Sequence, residues 1–200
     1  MSIKIGITGG IGSGKTTVCQ IFETIGIPVY YADERAKALM TDNIDLVNAI
    51  KDLLGNKAYK KDGTLDRMFI AKVVFSDKAI LDQLNALVHP AVWEDGNQWH
   101  KKQNTPYTIK EAALLFESGG YQMMDAVITV TAPEKVRIKR VMKRDGVSEE
   151  QVLARMNKQW PESQKVALSD FVITNNGDVF LIPQVLQVHH NILRTLVTNT

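Results

Sequence analysis

Gly9-Gly10-Ile11-Gly12-Ser13-Gly14-Lys15-Thr16-Thr17 decides how the rest of this chain is read. The stretch fits the pattern G-x-x-x-x-G-K-[ST], with Gly9 as the first glycine and Gly14-Lys15-Thr16 as the close. Glycines let the backbone bend with its N–H groups turned inward, and no Cβ blocks the oxygens of a phosphate. Lys15 supplies a mobile point charge for the outer phosphates. The Thr16 hydroxyl is placed to ligate the magnesium ion that accompanies a nucleotide. A strand must precede such a loop and a helix must follow. Ile3, Ile5 and Ile7 alternate with Lys4 and Gly6 as a short buried strand, and Val18, Ile21, Phe22 and Ile25 recur at helical spacing before Gly26. The helix N-terminus then points at the cradled anion. This context sets aside a chance glycine-rich turn and predicts nucleoside triphosphate binding.

The totals suit that reading. Two hundred residues accommodate one α/β domain with insertions. A net charge of +2 gives no global field for nucleic acid or membrane. The single cysteine, Cys19, excludes an internal disulfide, suits a reducing cytoplasm and reads as a small buried side chain. No signal peptide is expected, because Met1 leads directly into the first strand. No window approaches the roughly 20 apolar residues of a membrane span.

A second strand is expected over Ile27–Tyr31, ending at Ala32-Asp33. Open α/β sheets bind ligands beyond the C-terminal ends of their strands, so Asp33 is the first candidate for catalytic work. It also reads as the N-cap of a helix beginning at Glu34. Residues 34–103 then carry helical stripes: Ala36, Leu39 and Met40, Ile44 through Leu54, Ile70 through Phe75, and Leu81 through Val88. The last is expected to stop at His89-Pro90, with Val92, Trp93 and Trp99 on a further helix. The block is too long for a simple crossover and reads as an inserted helical lobe for a second substrate. Tyr107–Glu117 contains the third strand, its Ala-Ala-Leu-Leu-Phe run expected to be buried on both faces. Glu117 at its end is read as holding magnesium through water, as contacting the acceptor's ribose, or as a structural ion pair. Ala126–Val130 and Asp170–Thr174 are strands four and five. Five short runs separated by helices imply a parallel sheet.

Between strands four and five, Thr131-Ala132-Pro133-Glu134 and Ser148 through Gln151 both resemble capping boxes. Arg137, Arg140 and Arg144 are spaced to share one helical face, with Arg155 and Gln159 on the next helix. Such a run serves as a solvated basic face, as a nucleic-acid contact or, beside a phosphate cradle, as a lid that neutralises the transferred phosphoryl oxygens and excludes water. Asn175-Asn176-Gly177 is either a plain turn or a loop touching adenine. Leu181, Ile182, Val185, Leu186, Ile192, Leu193 and Leu196 form a closing amphipathic helix, with His189-His190 as surface or packing residues.

With these stretches in hand, the whole chain resembles the dephospho-CoA kinase family. The match includes the phosphate loop, Ala32-Asp33, Asp62-Gly63-Thr64-Leu65-Asp66-Arg67, Leu84-Asn85-Ala86-Leu87-Val88-His89-Pro90, Leu114-Leu115-Phe116-Glu117, Lys139-Arg140 through Arg144-Asp145-Gly146, and Asn175-Asn176-Gly177. The resemblance implies a P-loop NTPase fold: a five-stranded parallel sheet flanked by helices. Its expected parts are a core (1–33, 105–132, 161–200), a CoA-binding helical insertion (34–104) and an arginine-bearing lid (133–160). It implies transfer of the ATP γ-phosphoryl group to the ribose 3′-hydroxyl of dephospho-CoA, with Mg2+. Catalysis falls to Asp33, Lys15 and Arg140. ATP is bound by Gly10, Ile11, Gly12, Ser13, Gly14, Lys15, Thr16, Thr17, Arg144, Asn175 and Asn176. The acceptor is bound by Thr8, Asp33, Lys37, Arg67, His89 and Glu117, and the metal by Thr16. No nucleic acid, membrane or obligate protein partner is implied. Lys37 stands where an arginine is common, Ala113 where a proline is usual, and Tyr31 where an acid often occurs.

Three other readings compete with this one. Another small-molecule kinase, such as an adenylate-kinase-like enzyme, would share strand and cradle. A GTP-dependent switch would need a guanine-reading Asn-Lys-x-Asp, which does not occur: Asn56-Lys57 and Asn157-Lys158 lack the following aspartate. A CoA-binding regulator without catalysis is disfavoured by the presence of Lys15, Asp33 and Arg140.

Overall fold

The computed structural model describes residues 3–197. Met1 lies outside them, as does the side chain of Leu196. The chain divides into two compact units, one comprising the segment up to Tyr31 and the segment from His100 onward, the other Ala32–Trp99.

The first unit is built on five strands: β1 (Ile3–Thr8), β2 (Val29–Tyr31), β3 (Tyr107–Glu111), β4 (Ala126–Thr131) and β5 (Phe171–Thr174). All pair in parallel, in the order β2-β3-β1-β4-β5. Central β1 is flanked on both sides, and five of its six residues are buried. One sheet face presents Ile3, Ile5, Ile7, Ile109, Ile128, Val130 and Ile173 to a single core. Val18, Cys19 and Phe22 of α1 (Lys15–Thr24) close it, with Val185, Val188 and Ile192 of the late helix Leu181–Ile192. Each such fully buried aliphatic side chain contributes about 1.5–3 kcal/mol of transfer free energy. Ile182 and Leu186, expected on the apolar face of that late helix, are exposed.

The third strand is shorter than its sequence promised. It ends at Glu111, and residues 113–119 form turns, with Leu114 exposed. Leu115 and Phe116 fold instead into a second cluster with Val127, Tyr121, Met124 and Trp160. An apolar run of this length carries no periodicity, and here tertiary packing sets its shape.

In the second unit, α2 (Ala32–Asp42) begins directly after β2, so Asp33 sits in a helical first turn rather than in a cap. Asn43 caps α3 (Ile44–Leu54) by accepting from the Leu46 N–H at 3.0 Å. Asp66 caps α4 (Arg67–Ser76) in the same way through Phe69. The next helix, α5, runs without a break from Lys78 to Lys101, with Pro90 inside it. The expected stop at His89-Pro90 does not occur. Proline removes one ladder bond, but Leu84, Val88 and Val92 form a buried stripe that continues across it. Arg35 of α2 makes a two-pronged contact with Asp95 of α5, at 2.9 and 3.0 Å.

Returning to the first unit, α6 (Glu134–Asp145) starts at Pro133 with no side-chain cap, because Thr131 is the last residue of β4. The expected capping box there is absent. The one at Ser148 is present on α7 (Glu149–Met156), with Gln151 reciprocating. Gln159 lies beyond the end of α7, not on it. Ile138, Val141 and Val152 form a small core between α6 and α7, and Ile11 of the phosphate loop packs against it. The short α8 (Glu162–Ala167) precedes β5, and α9 is the late helix Leu181–Ile192. Among the described residues, no helix is long and apolar enough to cross a membrane.

Candidate active site

The phosphate loop joins the C-terminal end of β1 to the first turn of α1, at the edge of the sheet where all five parallel strands end. Its conformation is imposed from several sides. Gly12 (φ +81°) and Gly14 (φ +94°) take left-handed backbone that side chains rarely adopt. Their neighbours add a second demand. A Cβ on Gly12 would stand 2.6 Å from the Arg137 carbonyl oxygen, and one on Gly14 would collide with the Asn175 amide nitrogen.

Lys15 folds back over the loop. Its Nζ donates to the Gly9 carbonyl at 3.1 Å and lies 3.9 Å from Glu111 Oε1. Glu111, the last residue of β3, is buried, and sequence reading passed over it. The readable signal was an acid inside the expected strand segment Tyr107–Glu117, masked by the apolar run that follows. Its carboxylate adds to burial in pushing the Cys19 thiol far above its ordinary range. Thr16 and Thr17 are exposed in the first helical turn, where backbone N–H groups have no intrahelical acceptor.

Arg140 reaches the same loop from α6. Its guanidinium donates to the Asn175 carbonyl at 3.0 Å and to Asn175 Oδ1 at 3.2 Å, and touches the Gly12 carbonyl at 3.5 Å. Asn175 in turn donates from Nδ2 to the Ser13 carbonyl at 2.8 Å. Two cations, Lys15 and Arg140, thus converge on one loop, and the residue after β5 ties the second in place. Asn176 uses its Oδ1 locally, accepting from the Asp178 and Val179 N–H groups. Ser13 Oγ is buried without a hydrogen-bond partner on the Gly9 side of the loop, and the Ser13 N–H already bonds the Gly10 carbonyl at 3.0 Å.

The three arginines of α6 do not act as one open face. Arg137 is buried, donating from Nε to the Ala132 carbonyl at 3.0 Å and pairing with Glu162 at 3.4 Å. Arg144 is exposed and pairs with Asp145, which also receives Arg155. That pairing holds the Asp145 carboxyl below its ordinary value and raises the Arg144 guanidinium. Exposed pairs of this kind contribute little to stability.

Glu117 lies in the second cluster. Its Oε1 is 2.7 Å from the fully buried Lys165 Nζ and accepts from the Trp160 N–H at 2.7 Å. Thr8 is buried at the end of β1, its hydroxyl 3.5 Å from the Ala113 carbonyl. Within the second unit, Asp33 and Lys37 are exposed one turn apart on α2, Arg67 is exposed at the start of α4, and His89 is exposed on α5.

Among the described residues, no three His, Cys, Asp or Glu side chains are grouped to hold a metal. Mg2+ commonly keeps several waters and takes most remaining ligands from phosphate oxygens, so a lone accessible hydroxyl such as that of Thr16 fits it.

The family model described as dephospho-CoA kinase matches residues 3–180. A curated dephospho-CoA kinase from Porphyromonas gingivalis is 42% identical over 187 residues, covering 93% of this chain and 92% of its own. Among solved structures, TT1252 from Thermus thermophilus superposes with a TM-score of 0.87 at 35% identity, covering 96% of this chain and 98% of that one. The dephospho-CoA kinase from Campylobacter jejuni superposes with a TM-score of 0.71 at 27% identity over the full length of both chains.

Proposed function

We propose how the residues divide the work in a chain that belongs to the dephospho-CoA kinase family. The enzyme transfers the γ-phosphoryl group of ATP to dephospho-CoA, giving CoA and ADP, with the ribose 3′-hydroxyl as acceptor. The observation that carries the reading is the convergence of Lys15 and Arg140 on the loop of residues 9–16. Phosphoryl transfer asks the protein mainly for positioning and for stabilisation of charge on the phosphoryl oxygens. The first-turn N–H groups of α1 receive phosphate oxygens, and Lys15 exchanges its contact with the Gly9 carbonyl for the outer phosphates. Arg140, held by Asn175, neutralises charge at the transferred group.

Thr16 would hold Mg2+ by its hydroxyl; when bound, the ion screens the phosphates and orients them. Asp33 is assigned the acceptor. Its carboxylate accepts a hydrogen bond from the ribose hydroxyl, aims the oxygen at phosphorus and takes the proton as the O–P bond forms. Lys37, Arg67, His89 and Glu117, with Thr8, are assigned to acceptor binding, and Arg144 and Asn176 to ATP. Glu117 would serve through the segment it anchors, since its carboxylate already engages Lys165 and Trp160. The helical unit Ala32–Trp99 is assigned to CoA recognition and residues 133–160 to closure over ATP. A buried lone cysteine fits a reducing cytoplasm.

Incubation with ATP, Mg2+ and dephospho-CoA tests the reading. The expected product is CoA carrying its new phosphate at the ribose 3′ position, located by mass and phosphorus spectroscopy. Phosphate at another position, or no ADP release, overturns it.

A further inference from the structure

The phosphate loop is held not only from β5 but also from the segment that follows α7. Gln159 Oε1 accepts the Ile11 N–H at 2.8 Å, and its Nε2 donates to the Ala113 carbonyl at 3.3 Å. One side-chain amide therefore spans the loop after β1 and the turn after β3. The segment carrying it is fixed on both sides of this contact. The Trp160 N–H bonds Glu117, and Glu162 accepts the Ala132 N–H at 3.1 Å while pairing with buried Arg137. Ile11 meets the same part of the chain twice, because its side chain also packs on the cluster of Ile138, Val141 and Val152.

We infer that Gln159 is a positioning residue for the phosphate loop, acting on ATP through the Ile11 peptide. Its amide keeps that peptide turned toward the α6–α7 segment and away from the cradle, so that the N–H groups of the first helical turn face the phosphates in a preset arrangement. The role rests on the kinase reading above. Preorganisation of this kind improves nucleotide binding without touching the reacting atoms.

The test uses the full-length enzyme and two variants. Gln159→Met keeps length and volume but removes both polar ends; Gln159→Glu keeps the acceptor for Ile11 and removes the donor to Ala113. Losing the hydrogen bond to Ile11 predicts a rise of about 3–10-fold in KM for ATP in Gln159→Met, with kcat within about 2-fold. Amide hydrogen exchange of Ile11 in the nucleotide-free enzyme should quicken in Gln159→Met and stay protected in Gln159→Glu. Unchanged Ile11 exchange together with unchanged KM in Gln159→Met overturns the assignment, as does a fall in kcat with KM unmoved. If Gln159→Met does not fold, rapid Ile11 exchange in Gln159→Glu overturns it instead. Ile11 exchange does not depend on which acceptor is phosphorylated, so this test and the product assay fail separately.

Discussion

Replacing Lys165 with methionine tests how the chain anchors the segment behind its phosphate loop. Lys165 is fully buried, and its Nζ faces Glu117 Oε1 at 2.7 Å, while Glu117 keeps only a small exposed fraction. Removing one partner of a buried ion pair strands the other and costs about 3–5 kcal/mol. Glu117 retains the Trp160 N–H and some water, so the lower end, about 3 kcal/mol, is expected. With about 2.1 cal/mol/K of unfolding entropy per residue, a chain of this length should lose about 7 °C in Tm. Thermal unfolding followed by circular dichroism reads this directly. The double variant Lys165→Met, Glu117→Gln leaves no stranded charge and keeps an acceptor for Trp160, so it should recover most of the loss. A single variant within about 0.5 kcal/mol of the parent, or a double variant no more stable than the single, refutes the reasoning.

Three further outcomes can be measured. Asp33→Asn should lower kcat by about 10²-fold or more while ATP affinity, measured by calorimetry, is retained; near-normal turnover would remove Asp33 from the reaction. Lys15→Ala should weaken both ATP binding and turnover, and unchanged values would contradict the phosphate-loop assignment. Burial, then the charge of Lys4, brings the Lys110 ammonium down to about 8 from an ordinary 10.5. Below pH 8 both folded and unfolded chains hold this proton, and the folded one does so at a cost. Between about 8 and 10.5 the unfolded chain binds more protons, so this group's contribution to stability rises with pH. The stability gained by Lys110→Met in urea unfolding should therefore be largest below pH 8 and shrink toward pH 10; a pH-independent difference counts against it.

What the sequence disclosed was local. β1, the glycine loop and α1 follow from alternation, left-handed turns and helical spacing within some twenty residues. The strands at Ala126 and Phe171 are legible because β-branched residues fill them. The errors share one cause, a tertiary contact outweighing a local preference. Pro90 signals a stop, but the buried stripe from Leu84 to Val92 carries α5 through it. Ala113 to Phe116 reads as strand, but Leu115 and Phe116 pack with Trp160, more than forty residues away in sequence. Arg137 looks like its neighbours on the helix, and only Glu162 and Ala132 distinguish it. Gln159, Glu111 and Lys165 act across separations that no short pattern spans.

The glycines at positions 12 and 14 have a meaning for anyone who would move this loop elsewhere. The space a methyl group would occupy there already belongs to the Arg137 backbone and the Asn175 amide. Their smallness is thus a fit to the scaffold as much as an opening for a ligand. A transplant of residues 9–17 into another sheet would carry vacancies shaped for absent neighbours. To work as a module, the graft needs the α6 turn bearing Arg137 and the residue after β5 along with it.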